Sequence, residues 1–330
     1  MKTYMKFVER TTPPGRMSWV LLFWNNLGKW IAPLVLLLVL PALVYAGGPH
    51  FVAGVSYFDS GVKGVPLTWA QGTISYYTDQ GDLSPLLPHA TADAFVADAF
   101  SRWTLVPTAA VSATLAGQLG EDVNSSNVYS NSDGTISMPL DILPSATSLP
   151  LAIVYDADGS VTNALLGQGA SIYCTSNAAF GGADNFSADA HFLHALVIMN
   201  GNCAQTSAQL PDLKYHLVRL LGRVFGLDWS QANLNVITGK PSAPATADYA
   251  GFSIMHALDP SGCVPVSKCY TNADQPKMDD QATLARLYPV IVQNQINFPG
   301  KQLSLKTPSA SMVRCTLPTP MASRPSPCRE

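Results

Sequence analysis

Two arginines, Arg219 and Arg223, sit one helical turn apart in a segment that otherwise reads as a buried helix. The helix is expected from about residue 210 to Gly226, and Leu217, Leu220, Leu221, Val224 and Phe225 make it strongly apolar around the pair. The glycine at its end can take the left-handed conformation that closes a helix. Residues four apart share a helical face, so both guanidiniums point the same way. A buried guanidinium must be paired, and Asp228, Asp248, Asp259, Asp279 and Asp280 are the candidate partners. Any fold of this chain has to bring carboxylates to that face.

The elements around this helix alternate in type. Residues 72–77 and 109–115 read as strands, and 151–155 and 195–199 as further ones. A helix over 90–103 places Phe95, Ala99, Phe100 and Trp103 on one face. A last helix, 278–288, carries Asp279 and Asp280 in its first turn, where the macrodipole favours them, and stops before Pro289. Residues 117–150 are polar, with Asn124, Asn127, Asn131 and Gly134, and read as an insertion. No long internal repeat is evident. Early strands followed by a long helix and a closing helix imply one α+β domain.

Upstream the sequence changes character. Lys2, Lys6, Arg10, Arg16 and Lys29 precede an apolar run from residue 31 to 46. That run is shorter than the roughly 20 residues a spanning helix needs, and Pro33 and Pro41 interrupt it. It ends Val44-Tyr45-Ala46 before Gly47-Gly48, the pattern of a secretory signal peptide cut after Ala46. The rival reading joins residues 17–24 to the run as an uncleaved anchor. Either way the expected location is secreted or extracytoplasmic, with membrane attachment only through an uncleaved N-terminus. Residues 47–71 are then a lead-in and 72–298 the domain. Residues 299–330, with Pro308, Pro318, Pro320, Pro325 and Pro327 and two stray cysteines, Cys315 and Cys328, read as a disordered tail. The tail's departure in composition raises a frameshift as its origin.

Charged residues make up 12% of the chain and the net charge is −3, so there is no basic field to hold a nucleic acid. Export makes two disulfides, Cys174 with Cys203 and Cys263 with Cys269, the simplest reading of the remaining cysteines, although four thiols allow three connectivities. No second close Cys or His pair accompanies Cys263 and Cys269 to make a zinc knuckle.

Residues 219–230, Arg-Leu-Leu-Gly-Arg-Val-Phe-Gly-Leu-Asp-Trp-Ser, resemble the zinc helix of the matrixins, metzincin metalloproteases whose motif is H-E-x-x-H-x-x-G-x-x-H followed by Ser. Gly222, Gly226, Leu227, Asp228 and Ser230 fall where that family often has Gly, Gly, Leu, Asp and Ser. Residues 94–103 look like the family's first helix, 251–256 like the Met-turn with Met255 as its methionine, and 278–288 like the closing helix. The resemblance implies a zincin-like mixed sheet with a long helix, a Met-turn and a C-terminal helix. The catalytic letters differ. Arg219 and Arg223 stand at two ligand positions, Trp229 at the third and Leu220 at the general base. Zinc takes neutral imidazole or anionic ligands at about 2.0–2.2 Å. Two permanently charged guanidiniums repel it, and Leu220 cannot take a proton from water.

The domain is therefore expected to be a pseudoenzyme with no cofactor. Its expected role is binding or structural, at the cell envelope or outside the cell, with a peptide or envelope component as partner. The resemblance implies that a retained cleft would hold a peptide against an edge strand. The alternative is a zinc metalloendopeptidase with unorthodox ligands, His216, His256 and Asp228. His191 and His194, three apart in a strand, point to opposite faces and read as locally hydrogen-bonded. Asp184, Asn185 and Asp189 stand where matrixins often hold structural calcium, but two carboxylates and an amide fall short of the six or more oxygens calcium takes; an ordinary polar loop is the simpler reading. The arginine pair is read either as ion pairs filling the space of the metal or as an anion site for a peptide carboxylate or acidic glycan.

Overall fold

The computed structural model describes residues 47–304, apart from 55, 231, 232, 260–268, 270 and 271. The expected signal peptide or anchor, Cys263 and the tail from residue 305 lie outside the described residues.

The fold is mixed α+β around a mostly parallel sheet. Short β1 (Thr68–Trp69) and β2 (Thr73–Thr78) lead to helix α1 (His89–Thr104) and β3 (Ser112–Gln118). A small hairpin, β4 (Tyr129–Ser130) and β5 (Ile136–Ser137), precedes β6 (Leu151–Asp156) and helices α2 (Ser160–Leu166) and α3 (Cys174–Asn177). Then come β7 (Ala179–Phe186), β8 (His191–Asn200) and the long helix α4 (Leu210–Val224). Two short helices, α5 (Leu234–Thr238) and α6 (Thr246–Ala250), separate it from α7 (Met278–Leu287).

Strand β6 is buried along its whole length, because it lies between parallel β2 and β8 with both faces covered. That is why its sequence is continuously apolar up to Asp156 rather than alternating. Beyond β2 lies parallel β3; β1 pairs in parallel with the start of β8. Strand β7 runs antiparallel along β8 and, among the described residues, is paired on no other side, so it is an edge there.

Residue parity sorts the two faces. Ile153, Tyr155, Val197 and Met199 join the main core, with Val96, Phe100 and Trp103 of α1 and Leu217, Val218 and Leu221 of α4. Ala152, Val154 and Ile198 face the other way and meet Leu119, Val123, Val128, Ile142 and Val161. The polar stretch 117–150 therefore does more than an insertion would: it finishes β3 and covers the second face of the sheet. Its few apolar residues are spread too irregularly to show periodicity, which hides that role in the sequence.

Residues 299–304, at the start of the expected tail, are pinned to the body. Lys301 Nζ donates to the Thr104 and Val106 carbonyls at the end of α1, and Gln302 N–H donates to the Pro107 carbonyl. Among the described residues no helix is long and apolar enough to cross a membrane. Cys174 and Cys203 form a disulfide.

Candidate functional site

The site is built on the end of α4. Leu227 N–H donates to the Gly222 carbonyl at 3.0 Å and Gly226 N–H to the Arg223 carbonyl at 2.9 Å, with Gly226 at φ +91°. This is a Schellman closure, which a residue with a Cβ adopts only under strain. Two further carbonyls at the helix end are satisfied by side chains. Trp69 Nε1 donates to Val224 at 2.8 Å, and the Tyr288 hydroxyl donates to Phe225 at 2.8 Å. The turn sends the chain back so that Asp228 and Trp229 meet the arginine face of α4.

Each arginine is engaged inside the domain. Arg219 Nη1 donates to Asp259 Oδ1 at 3.0 Å, and its Nη2 donates to the carbonyls of His256 at 2.5 Å and Ala257 at 3.3 Å. Arg223 Nη1 donates to Asp228 Oδ1 at 2.5 Å, and its Nη2 donates to His50 Nε2 at 2.7 Å. The Trp229 ring lies 4.8 Å from the Arg219 guanidinium and 4.5 Å from that of Arg223, within cation–π range of both. Both arginine side chains are mostly buried, at 13% and 19% exposure, so their carboxylate partners matter more than surface pairs do. With Arg219 holding one carboxylate and two carbonyls, its terminal nitrogens offer no free fork to an outside anion.

Met255 is fully buried beneath α4. Its segment is fixed by Asp280 of α7, whose carboxylate accepts from the backbone N–H groups of Ile254 at 3.0 Å, Met255 at 3.1 Å and Lys277 at 2.7 Å, and from the Ser253 hydroxyl. Burial pushes the Asp280 carboxyl above its usual range, against the pull of those donors. In the sequence Asp280 reads as a helix-dipole partner and as a candidate partner for the arginines; its bonds to a segment some 25 residues away leave no local trace.

The alternative metal ligands are engaged separately. His256 is fully buried, with Nδ1 2.7 Å from the Leu258 carbonyl and Nε2 2.7 Å from the Tyr215 hydroxyl. Burial, with Arg219 second, depresses it to about 4. His216 Nε2 lies 3.6 Å from Asp212 Oδ2, one turn away on α4. Asp228 is held by Arg223. His191 and His194 diverge as their spacing implies, His191 Nδ1 toward the Thr68 carbonyl and His194 Nδ1 toward Asp184 Oδ1 at 2.6 Å.

The stretch read as a polar loop is a strand for most of its length. Asp184 and Asn185 belong to β7, where Asp184 faces His194 and Asn185 Nδ2 donates to the Pro144 carbonyl at 2.7 Å, while Asp189 pairs with Ser187 in the following turn. These oxygens do not converge as a calcium site needs. Among the described residues no group of three or more His, Cys, Asp or Glu side chains is placed to hold a metal.

Two cavities flank Arg223. One of about 380 Å³ is lined by Ser176, His216, Leu220, Trp229 and Leu258 along with both arginines. The other, of about 320 Å³, lies along β7 at Gly181, Gly182 and Asp184, with His50 and Arg223 opposite. His50 was not singled out by any motif; it comes from the lead-in, far from the helix in sequence. The disulfide fixes one wall of the larger cavity, since Cys174 starts the turn that carries Thr175 and Ser176. No protein-family model matches the chain, and none of the curated proteins compared with it matches.

Proposed function

We propose that the chain is an exported, matrixin-like domain without peptidase activity, whose groove between α4 and the edge strand β7 binds an extended peptide of a partner or envelope component. One observation carries this reading. The positions that the resemblance assigns to two zinc ligands hold Arg219 and Arg223, each closed by its own carboxylate, Asp259 and Asp228. The pairs place organic charge where the resemblance puts a cation.

The surrounding architecture supports the resemblance. A mixed sheet has an antiparallel edge strand beside a long helix, a buried methionine lies beneath that helix, and a closing helix anchors the methionine's segment. An edge strand carries unpaired backbone groups that an added peptide strand satisfies. Leu220 lines the larger cavity at the position of the general base and has no group to activate water.

The test is the metal content of the full chain purified without added zinc, with a peptide-cleavage assay with and without chelator. The expected result is substoichiometric metal and no chelator-sensitive cleavage. Stoichiometric zinc with chelator-sensitive proteolysis would overturn the proposal in favour of unorthodox ligands.

A further inference from the structure

The lead-in lies outside the stretch that resembles a matrixin, yet it reaches the centre of the groove. Asp228 N–H donates to the Gly48 carbonyl at 2.8 Å, His50 N–H donates to the Gly226 carbonyl at 2.7 Å, and Pro49 bridges Leu227. Gly47, at φ +69°, sits where a Cβ would be 2.4 Å from Thr283 Oγ1 of α7. The short ladder carries the His50 ring between Arg223 and β7, where its Nε2 accepts from Arg223.

We propose that residues 47–50 are a strap, and that His50 holds Arg223 as a removable partition between the two cavities of the groove. The inference adds regulation to the peptide-binding reading and rests on that reading only for what enters. Arg223 is the residue common to both cavity linings, and His50 lines the smaller one. Asp228 holds one Nη of the guanidinium, His50 the other, and the Trp229 ring lies 4.5 Å from it, so losing His50 removes the one tether that comes from the strap. The strap's backbone is held by the two bonds of that one bridge and by Arg286 Nη2, which donates to the Gly47 carbonyl at 3.5 Å, the kind of short connection that opens locally at far less cost than global unfolding. With the partition withdrawn, the two cavities join along β7. There Gly182 has nothing within 4 Å of where its Cβ would stand, which leaves room for a second backbone.

Hydrogen exchange read by mass spectrometry on the full chain tests the strap, comparing wild type with His50→Ala and His50→Gln. The Gln carbonyl can still accept from Arg223, so this variant asks whether the contact itself matters. In His50→Ala, exchange is expected to rise about fivefold in peptides over 47–54 and 179–186, the size expected for one lost hydrogen bond, with peptides from α1 unchanged. His50→Gln is expected to return close to wild type. A rise throughout the chain, or none over 47–54, overturns the strap; a rise over 47–54 alone overturns the partition. A pool of synthetic decapeptides is then screened against both proteins, and stronger retention by His50→Ala supports a groove gated by Arg223. If exchange changes as expected but no peptide is retained by either protein, the strap stands and the peptide reading falls.

Discussion

Gly222 packs against Met255 so closely that a Cβ there would lie 2.5 Å from the Met255 sulfur and 2.7 Å from the Trp103 ring. Both neighbours are fully buried, and the Trp103 indole is held by a 2.7 Å bond to the Val218 carbonyl, so the Trp103 wall is not free to retreat. Alanine is favoured over glycine inside a helix by about 1 kcal/mol, while overpacking a closed core costs about 1–3 kcal/mol. Gly222→Ala is expected to lower the urea midpoint of unfolding. A raised midpoint would show that α4 and the Met255 segment are less tightly joined than they stand here.

A second prediction tests the resemblance by building its missing chemistry. Arg219→His, Leu220→Glu, Arg223→His and Trp229→His, combined in one chain, install the ligand and base types of the matrixin motif on an existing helix. The variant is expected to take up one zinc per chain after dialysis against the metal, where the wild type takes up none. Losing both guanidiniums leaves Asp228 and Asp259 without their arginine partners, so circular dichroism must first show that the variant is folded. A folded variant that rejects zinc would count against the resemblance.

The pH dependence of stability contains two opposing contributions. His256 is depressed from 6.5 to about 4 in the fold, so the unfolded chain binds more protons between those values. Its contribution is complete above pH 6.5 and is lost as pH falls through about 4. Asp79, buried among three backbone donors, is raised from 3.8 to about 6. Its contribution has the opposite sign: it is present below 3.8 and lost as pH rises through about 6. Acidifying the wild type from pH 6 to 4 therefore weakens the fold through His256 and strengthens it through Asp79. Replacing His256 by Gln removes the first contribution, on the order of 3 kcal/mol at most. Denaturant titrations at pH 7 and 4.5 are expected to show a smaller acid loss in His256→Gln than in wild type; equal losses would exclude His256 as the group that titrates.

Removing the disulfide by Cys174→Ser with Cys203→Ser is expected to cost about 3–4 kcal/mol, from the loop of 29 residues it closes. Because Cys174 leads directly into a wall of the larger cavity, exchange should rise most over residues 170–179. Unfolding titrations and hydrogen exchange check the two parts separately, and unchanged protection of that wall would confine the bond's effect to the unfolded chain.

Elements with a strong period were readable before the fold was known. The apolar faces of α1 and α4 and the run Leu-Ala-Ile-Val-Tyr of β6 each mark their own burial, and Gly226 marks the end of α4. What escaped was non-local. Strand β7 is half glycine and polar residues because its outer side faces a groove, so it lacks the alternation of a covered strand and reads as a loop. The sequence offers five carboxylates to Arg219 and Arg223, and only the fold selects Asp259 and Asp228 among them. His50 had no signal at all: a lone histidine in a lead-in becomes part of the site only because Gly47 and Gly48 lay the chain across a helix end more than 170 residues away.

The closure at the end of α4 also has a temporal meaning. Trp69 and Tyr288 both bond its last carbonyls, and the Trp69 backbone N–H donates to the same Tyr288 hydroxyl, joining residues 219 positions apart. During synthesis, the first of these partners emerges from the ribosome long before the helix it fastens, and the last only when the domain is almost complete. The groove is thus a late product of translation, and a nascent chain stopped short of Tyr288 would carry its strands without the clasp that sets the arginines in place.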